Sequence, residues 1–232
     1  MKQLIIILVL LLSGCATTKN SNEQAAVRQG DLIQQYMEQG LEDLSYGHPE
    51  KALGEFDQAI ALCKKQFAGS EERVYVARGM TDSIYYMLKA RVDNESAVAV
   101  ATDCADAFYL RGYASIELGQ IDAGEQHLNK ALEFSPVNSM YLSEMGHIYH
   151  IKEDWQKALD TFAQAEEFSA FSPEELKASE LARAKRGVGF SLIELGRLDE
   201  AEAKFRECLE LDPNDEVALH ELKYIEEQRN SG

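Results

Sequence analysis

The sequence predicts an all-α chain, a solenoid of about five stacked helix-turn-helix units closed by a C-terminal capping helix. Three observations lead there. From Asp106 to Phe168 one pattern is written twice, first as Phe108, Gly112, Ser115, Gly119, Leu128, Ala131 and Pro136, then as Leu142, Gly146, Tyr149, Trp155, Ala158, Phe162 and Ala165. Gly112 and Gly146 lie 34 residues apart, as do Leu128 and Phe162, and a period of that size marks stacked supersecondary units. Only four prolines occur, and none interrupts a long periodic run, so helices can extend.

The chain opens with what reads as an address. Met1-Lys2-Gln3 is a short positive start, and Leu4 to Leu12 is an unbroken apolar run. At about 1.5 Å per residue that run is far too short to cross a roughly 30 Å hydrocarbon core as a helix. Residues 1–14 have the layout of a secretory signal peptide with small residues at the cleavage site. Leu12-Ser13-Gly14-Cys15 resembles the bacterial lipobox. The resemblance implies cleavage before Cys15, acylation of that cysteine and attachment to a lipid bilayer. Ala16, following it, implies sorting to the outer membrane, facing the periplasm, rather than retention at the inner one. Residues 15–26 are polar and aperiodic, and read as a flexible tether.

Helical units follow. In the first, 27–65, Tyr36, Gly40 and Leu44 mark one helix, Gly47 and Pro49 a turn, and Ala52, Phe56 and Ala59 a second helix. Residues 66–103 match least well. Ser70 is a cap candidate, Val74 to Leu88 reads as one helix, and Asn94 to Thr102 as a short alanine-rich second. Units 104–136 and 137–171 are the clean pair. In unit 172–213, Ser172-Pro173-Glu174-Glu175 reads as a helix start. Gly189 lies 43 residues beyond Gly146, so the first helix is expected to be lengthened, from Pro173 to Leu195. Residues 214–228 supply the capping helix that an open stack needs for solubility.

Gly40, Gly79, Gly112, Gly146 and Gly189 occupy corresponding places, and Phe56, Leu128, Phe162 and Phe205 fill the facing gaps. Helices packed about 8–10 Å apart need a small residue where the backbones approach. Period and residues together resemble the tetratricopeptide repeat, over roughly residues 27–228. Arg78 and Arg111 stand before two of the glycines, where that family usually has leucine. The departure means either altered packing or a local carboxylate partner. A coiled coil, the rival account of so much helix, does not explain a 34-residue period with glycine turns.

Composition narrows the function. The chain has 23 basic and 40 acidic residues, a formal charge of −17, and so repels phosphate backbones; nucleic acid is not an expected partner. Phosphate-cradling glycine loops, strand-borne serine nucleophiles and paired-cysteine motifs are missing from the sequence, and the chain is expected to hold no strands at all. Neither catalysis nor a cofactor is expected. His147 and His150, spaced i, i+3, share a helix face; they read as groove-facing, with a metal site as the rival account that lacks a third ligand. Besides Cys15, three cysteines remain. Cys208 reads as a small buried hydrophobe. Cys63 and Cys104 sit near the ends of second helices in neighbouring units, and are either disulfide-bonded or, as expected here, two free thiols.

The family resemblance implies a right-handed superhelix whose concave wall, lined by first helices, binds a peptide or helical segment of another protein. Projected onto this sequence, that wall carries Met37, Leu41, Arg73, Val76, Met80 and Met140 beside its centre. Tyr109, Tyr113, His147, His150, Arg183, Arg186 and Phe190 form the candidate groove, with the arginines available to a partner's carboxylates. The expectation is a membrane-anchored periplasmic adaptor or assembly scaffold in an envelope machine, serving pilus or secretion assembly or peptidoglycan enzymes. The alternative is a periplasmic binding module for a small ligand or metal.

Overall fold

The computed structural model describes residues 14–231, so the signal-peptide and cleavage features before Gly14 lie outside the described residues. Four antiparallel helical hairpins stack in chain order. They are α1 (Gly14–Ser45) with α2 (Pro49–Gln66), α4 (Cys104–Glu117) with α5 (Ile121–Phe134), α6 (Ser139–Ile151) with α7 (Trp155–Phe168), and α8 (Glu174–Glu194) with α9 (Leu198–Leu211). Helix α10 (Glu216–Ser231) closes the stack. No described helix is long and apolar enough to cross a membrane.

The facing pairs of small and bulky residues hold each hairpin together, as the spacing predicts. A Cβ built on Gly40 would lie 2.5 Å from the Phe56 ring, on Gly146 2.7 Å from Phe162, and on Gly189 2.7 Å from Phe205. On Gly112 it would lie 3.0 Å from the Gly124 carbonyl oxygen. Such approaches leave no room for a side chain. Phe162 also fills the notch at Gly187 of the next hairpin, where a Cβ would come within 2.2 Å of the ring.

The segment read as a degenerate second hairpin is something else. Strand β1 (Arg73–Val76), helix α3 (Met80–Asp93) and strand β2 (Ala97–Val100) form a parallel two-stranded sheet with its crossover helix. Parallel pairing requires such a crossover, and α3 supplies it. Val74-Tyr75-Val76 and Val98 with Val100 are β-branched and aromatic, suited to strands, but four-residue runs are too short to register as periodicity. Gly79, taken as an in-helix small residue, is the extended residue before α3. Asp82 folds back there, accepting from the N–H groups of Gly79 at 2.9 Å and Arg78 at 2.7 Å. Asn94, in the left-handed region at φ 55°, ends α3; Asn tolerates that conformation better than most residues.

The sheet lies between the stack and α3. Val76 and Val100 join the main core, while Tyr75, Ala77 and Ala97 pack with Tyr86 and Ala90 of α3. Tyr75 and Tyr86 stack with centroids 5.0 Å apart. Three further contacts run along the turns that follow second helices. Ser135 Oγ donates to the Val76 carbonyl at 2.7 Å, the Arg73 guanidinium to the Glu133 carbonyl at 2.7 Å, and Tyr85 meets Phe171 at 4.8 Å.

A disulfide closes the base of this insert. Cys63, near the end of α2, is bonded to Cys104, the first residue of α4, with Cα atoms 5.6 Å apart. The expectation of two free thiols was therefore wrong. With residues 66–103 folded as a crossover unit rather than a hairpin, α2 packs directly on α4, and the two cysteines meet at bridging distance. Cys208 is free and buried, and burial pushes its thiol up to about 11.

At the other end of the insert, Arg78 pairs with Glu180 at 2.6 Å, their side chains 15% and 7% exposed. Glu180 lies in the first turns of α8, the helix predicted to be lengthened, and α8 runs for 21 residues as that insertion requires. Ser172, read as its cap, instead donates its hydroxyl to Glu180 Oε2 at 2.5 Å. Arg111 likewise finds Asp57 at 2.8 Å. A local carboxylate is thus the outcome for both unusual arginines. One boundary shifts: α1 starts at Gly14 rather than near Val27, so the backbone of the tether 15–26 is helical. At the other end, α10 packs through Ala218 and Ile225 while Val217 and Leu219 stay exposed.

Arg78→Ala strands a buried carboxylate, which costs about 3–5 kcal/mol, and should lower the urea midpoint accordingly. The double variant Arg78→Met/Glu180→Leu, with no charge left to desolvate, should recover most of that loss. A midpoint unchanged in the single variant would show that the pair does not hold the insert.

Candidate groove on the first helices

Helices α4, α6 and α8 are the successive first helices, and their residues build the candidate surface from the inside out. Tyr109 of α4 and Tyr141 of α6 stack at 5.0 Å with planes 19° apart. The Tyr141 hydroxyl donates to Asp106 Oδ1 at 2.6 Å. Burial raises the Asp106 carboxyl above its usual range, against the lowering effect of the Tyr141 hydrogen bond. Burial also raises the Tyr109 phenol, with the Glu144 carboxylate adding to it. This stack is a floor: Tyr109 is buried rather than presented to a partner.

Above it the helices differ. Tyr113 is half-buried, its hydroxyl raised by burial and by Glu117. Glu144, 3% exposed, is paired with the Arg183 guanidinium, and the charge of Arg183 acts on both Tyr109 and Tyr113. The structure therefore gathers Tyr109, Tyr113, Glu144 and Arg183 across three helices. Arg186 pairs with Asp215 at 2.7 Å. Burial works against the Asp215 charge, yet the N–H of Ala218 and the Arg186 guanidinium hold its carboxyl below the ordinary range. Both arginines expected to await a partner's carboxylate are thus engaged internally. A buried carboxylate left without a cation is costly, and the nearest cations supply it.

The two histidines part ways. His147 is exposed, whereas His150 turns inward against Phe162 at 5.0 Å and Trp155 at 5.8 Å. His150 Nε2 lies 2.7 Å from Ser191 Oγ. The Ser191 hydroxyl donates to the Gly187 carbonyl at 2.8 Å, so its oxygen is left to accept and the imidazole N–H donates. Burial, then the neighbouring His147, lowers His150 to about 4. With that ring engaged, the pair does not converge on a metal, and no group of three or more His, Cys, Asp and Glu residues gathers for one among the described residues. Phe190 is half-buried edge-on to Phe205 at 5.5 Å.

The remaining projections scatter. Met37 is buried and Leu41 exposed on α1, while Arg73 and Val76 belong to β1 and Met80 opens α3. Three site residues escaped the sequence reading: Asp106, Tyr141 and Glu144. Glu144 had a signal, being the sole carboxylate in α6, a helix whose residues 141–146 are all buried. A charge inside such a run requires a partner.

Two family models, each described as tetratricopeptide repeat, match residues 105–138 and 182–215. They cover the hairpins α4–α5 and α8–α9, and set Gly112 and Gly189 at the same repeat position. This chain is a tetratricopeptide-repeat protein. The repeat match to the last hairpin starts after Glu180, so the added turns of α8 that meet the insert fall outside it. This tetratricopeptide-repeat protein is 28% identical over 134 residues to anaphase-promoting complex subunit 3 of Schizosaccharomyces pombe, a match covering 58% of this chain. The chain spans 19% of that relative's length. Among solved structures it resembles pilF of Pseudomonas aeruginosa, with a TM-score of 0.62, 15% identity, and 88% of this chain and 71% of that one covered. MamA of Desulfovibrio magneticus RS-1 is similar at a TM-score of 0.56 and 16% identity, over 87% of this chain and 88% of the other. These likenesses show the fold.

The lowered His150 gives a pH signature. The unfolded imidazole titrates near 6.5 and the folded one near 4, so between those values the unfolded state binds more protons. Its contribution therefore destabilises the fold progressively as pH falls from about 6.5 to about 4. Urea midpoints at pH 7, 5.5 and 4.5 should fall less steeply in His150→Gln than in the parent, and parallel slopes would contradict the assignment.

Proposed function

We propose that this tetratricopeptide-repeat protein is a lipid-anchored adaptor of the bacterial envelope, facing the periplasm from the outer membrane and gripping a peptide or helical segment of another envelope protein. The fold is one of protein-interaction scaffolds, and the reading gives the chain no catalytic step. The observation that carries it is the surface where half-exposed Tyr113 lies within the field of Arg183 over the Tyr109–Tyr141 floor, with His147 exposed on the neighbouring helix α6. Tyrosine and arginine over a preorganised base are what binding surfaces favour. Internal pairing leaves Arg183 43% exposed, so its remaining N–H groups still face outward for a partner's carbonyls or carboxylates.

Export and anchoring have separate support. The lipobox-like Leu12-Ser13-Gly14-Cys15 supplies the anchor and Ala16 the outer-membrane preference. The Cys63–Cys104 disulfide suits an oxidising compartment such as the periplasm. The fission-yeast relative is by its name a subunit of a larger complex, which agrees with an assembly role. Pilus or secretion machinery and peptidoglycan enzymes are the envelope systems this reading serves.

Two experiments test it. Tyr113→Glu/His147→Glu in the full chain should cut crosslinked recovery of one envelope protein from membranes at least tenfold, with circular dichroism unchanged. Undiminished recovery would remove the groove from the reading. Cys15→Ser should abolish incorporation of labelled palmitate, and labelling that persists would refute the anchor.

A further inference from the structure

The outward face of α3 is used by neither the stack nor the groove. Met80, Ile84, Met87, Leu88 and Val92 are 79%, 54%, 41%, 61% and 83% exposed, while Asp82, Tyr86 and Ala90 on the opposite side are buried. Their spacing by threes and fours places the five on one stripe. At about 1.5 Å per residue it runs for about 18 Å, three turns of helix. Scattered apolar side chains on a surface are ordinary, but a contiguous stripe rimmed by polar residues marks an interaction site. Helix α3 does not need this face to fold, because Tyr86 and Ala90 already seat it on the sheet.

Shape and charge identify the occupant. A convex ridge of side chains at these intervals fits the groove between the ridges of another helix. Lys89 is neutralised by Asp93 at 2.6 Å. Arg91, within the stripe, is exposed and makes no ion pair among the described residues. The one uncompensated charge on this face is therefore positive, on a chain of net charge −17. A second copy would bring −17 against −17, and an anionic bilayer meets the same repulsion. A carboxylate on a separate protein has neither obstacle, and the planar guanidinium receives it with two hydrogen bonds. We propose that α3 is a docking face for an amphipathic helix of another protein, one with apolar residues at three- and four-residue spacing and a carboxylate opposite Arg91. None of the groove residues belongs to this face, so one adaptor holds two partners or two parts of one.

The test places a benzophenone amino acid at Leu88 of the full chain in its own membranes and sequences the crosslinked peptides after illumination. The expected product joins Leu88 to one other protein, through a helical segment with a carboxylate within one turn of the attachment point. Arg91→Glu should lower the yield at least tenfold, and reversing that carboxylate to arginine in the partner should restore it. Crosslinks to a second copy of this chain, to lipid, or to no defined segment would overturn the proposal. So would a yield indifferent to Arg91→Glu, with circular dichroism confirming that the variant is folded.

Discussion

Phe162 fills one space bounded by Gly146 on its own hairpin and Gly187 on the next, and a Cβ at either glycine would overlap its ring. Everything else in the stack follows from approaches of this kind. A helical hairpin buries one stripe of each helix against the other and leaves a second stripe that only a neighbouring hairpin can cover. Where the neighbour also presents glycine, the backbones come close enough for one aromatic ring to serve two units. The same interlock sets the spacing between α6 and α8, and with it the separation of Glu144 from Arg183 on the groove. Packing inside the stack thus fixes the geometry of the surface.

Two departures from the repeat template meet each other. The βαβ insert sits between α2 and α4, and the added turns of α8 extend beyond the last repeat; Arg78 and Glu180 join them across 102 residues of sequence. A two-stranded sheet has little stability alone. Here it is held by the stack on one face, α3 on the other, a disulfide at its base and a buried ion pair at its far end. The insert thereby braces the turns after α5 and α7 through Ser135 and Phe171, and carries α3 outward with an apolar face exposed.

The acidic character of the chain shapes its surface chemistry. Cations are scarce, and the buried carboxylates Glu144, Glu180 and Asp215 claim Arg183, Arg78 and Arg186. Pairs of that sort orient helices more than they stabilise them, since desolvation offsets much of the attraction. Their consequence for the groove is rigidity, with guanidiniums held in place before any partner arrives. Arg91 stays outside this internal pairing: the carboxylate buried under α3, Asp82, is already satisfied by the N–H groups of Arg78 and Gly79.

The sequence by itself determined the repeat. Gly112 to Gly146 and Leu128 to Phe162 share one period, and the complementarity of glycine to a bulky apolar residue behind that period is local to each hairpin, so spacing alone reveals it. The lengthened α8 was legible for the same reason, as an offset in the register of Gly189. Tertiary structure decided the rest. Val74 to Val76 and Ala97 to Val100 are each too short to declare themselves, and become strands only because they pair with each other. Cys63 and Cys104 bond because that pairing brings α2 onto α4. Tyr109 became floor rather than contact surface, and His150 turned inward to Ser191, because burial depends on the neighbouring hairpin, which no single helix pattern encodes. The charges of Arg78, Arg183 and Arg186 were visible in the sequence; their partners, 102, 39 and 29 residues away, were set by how the hairpins stack.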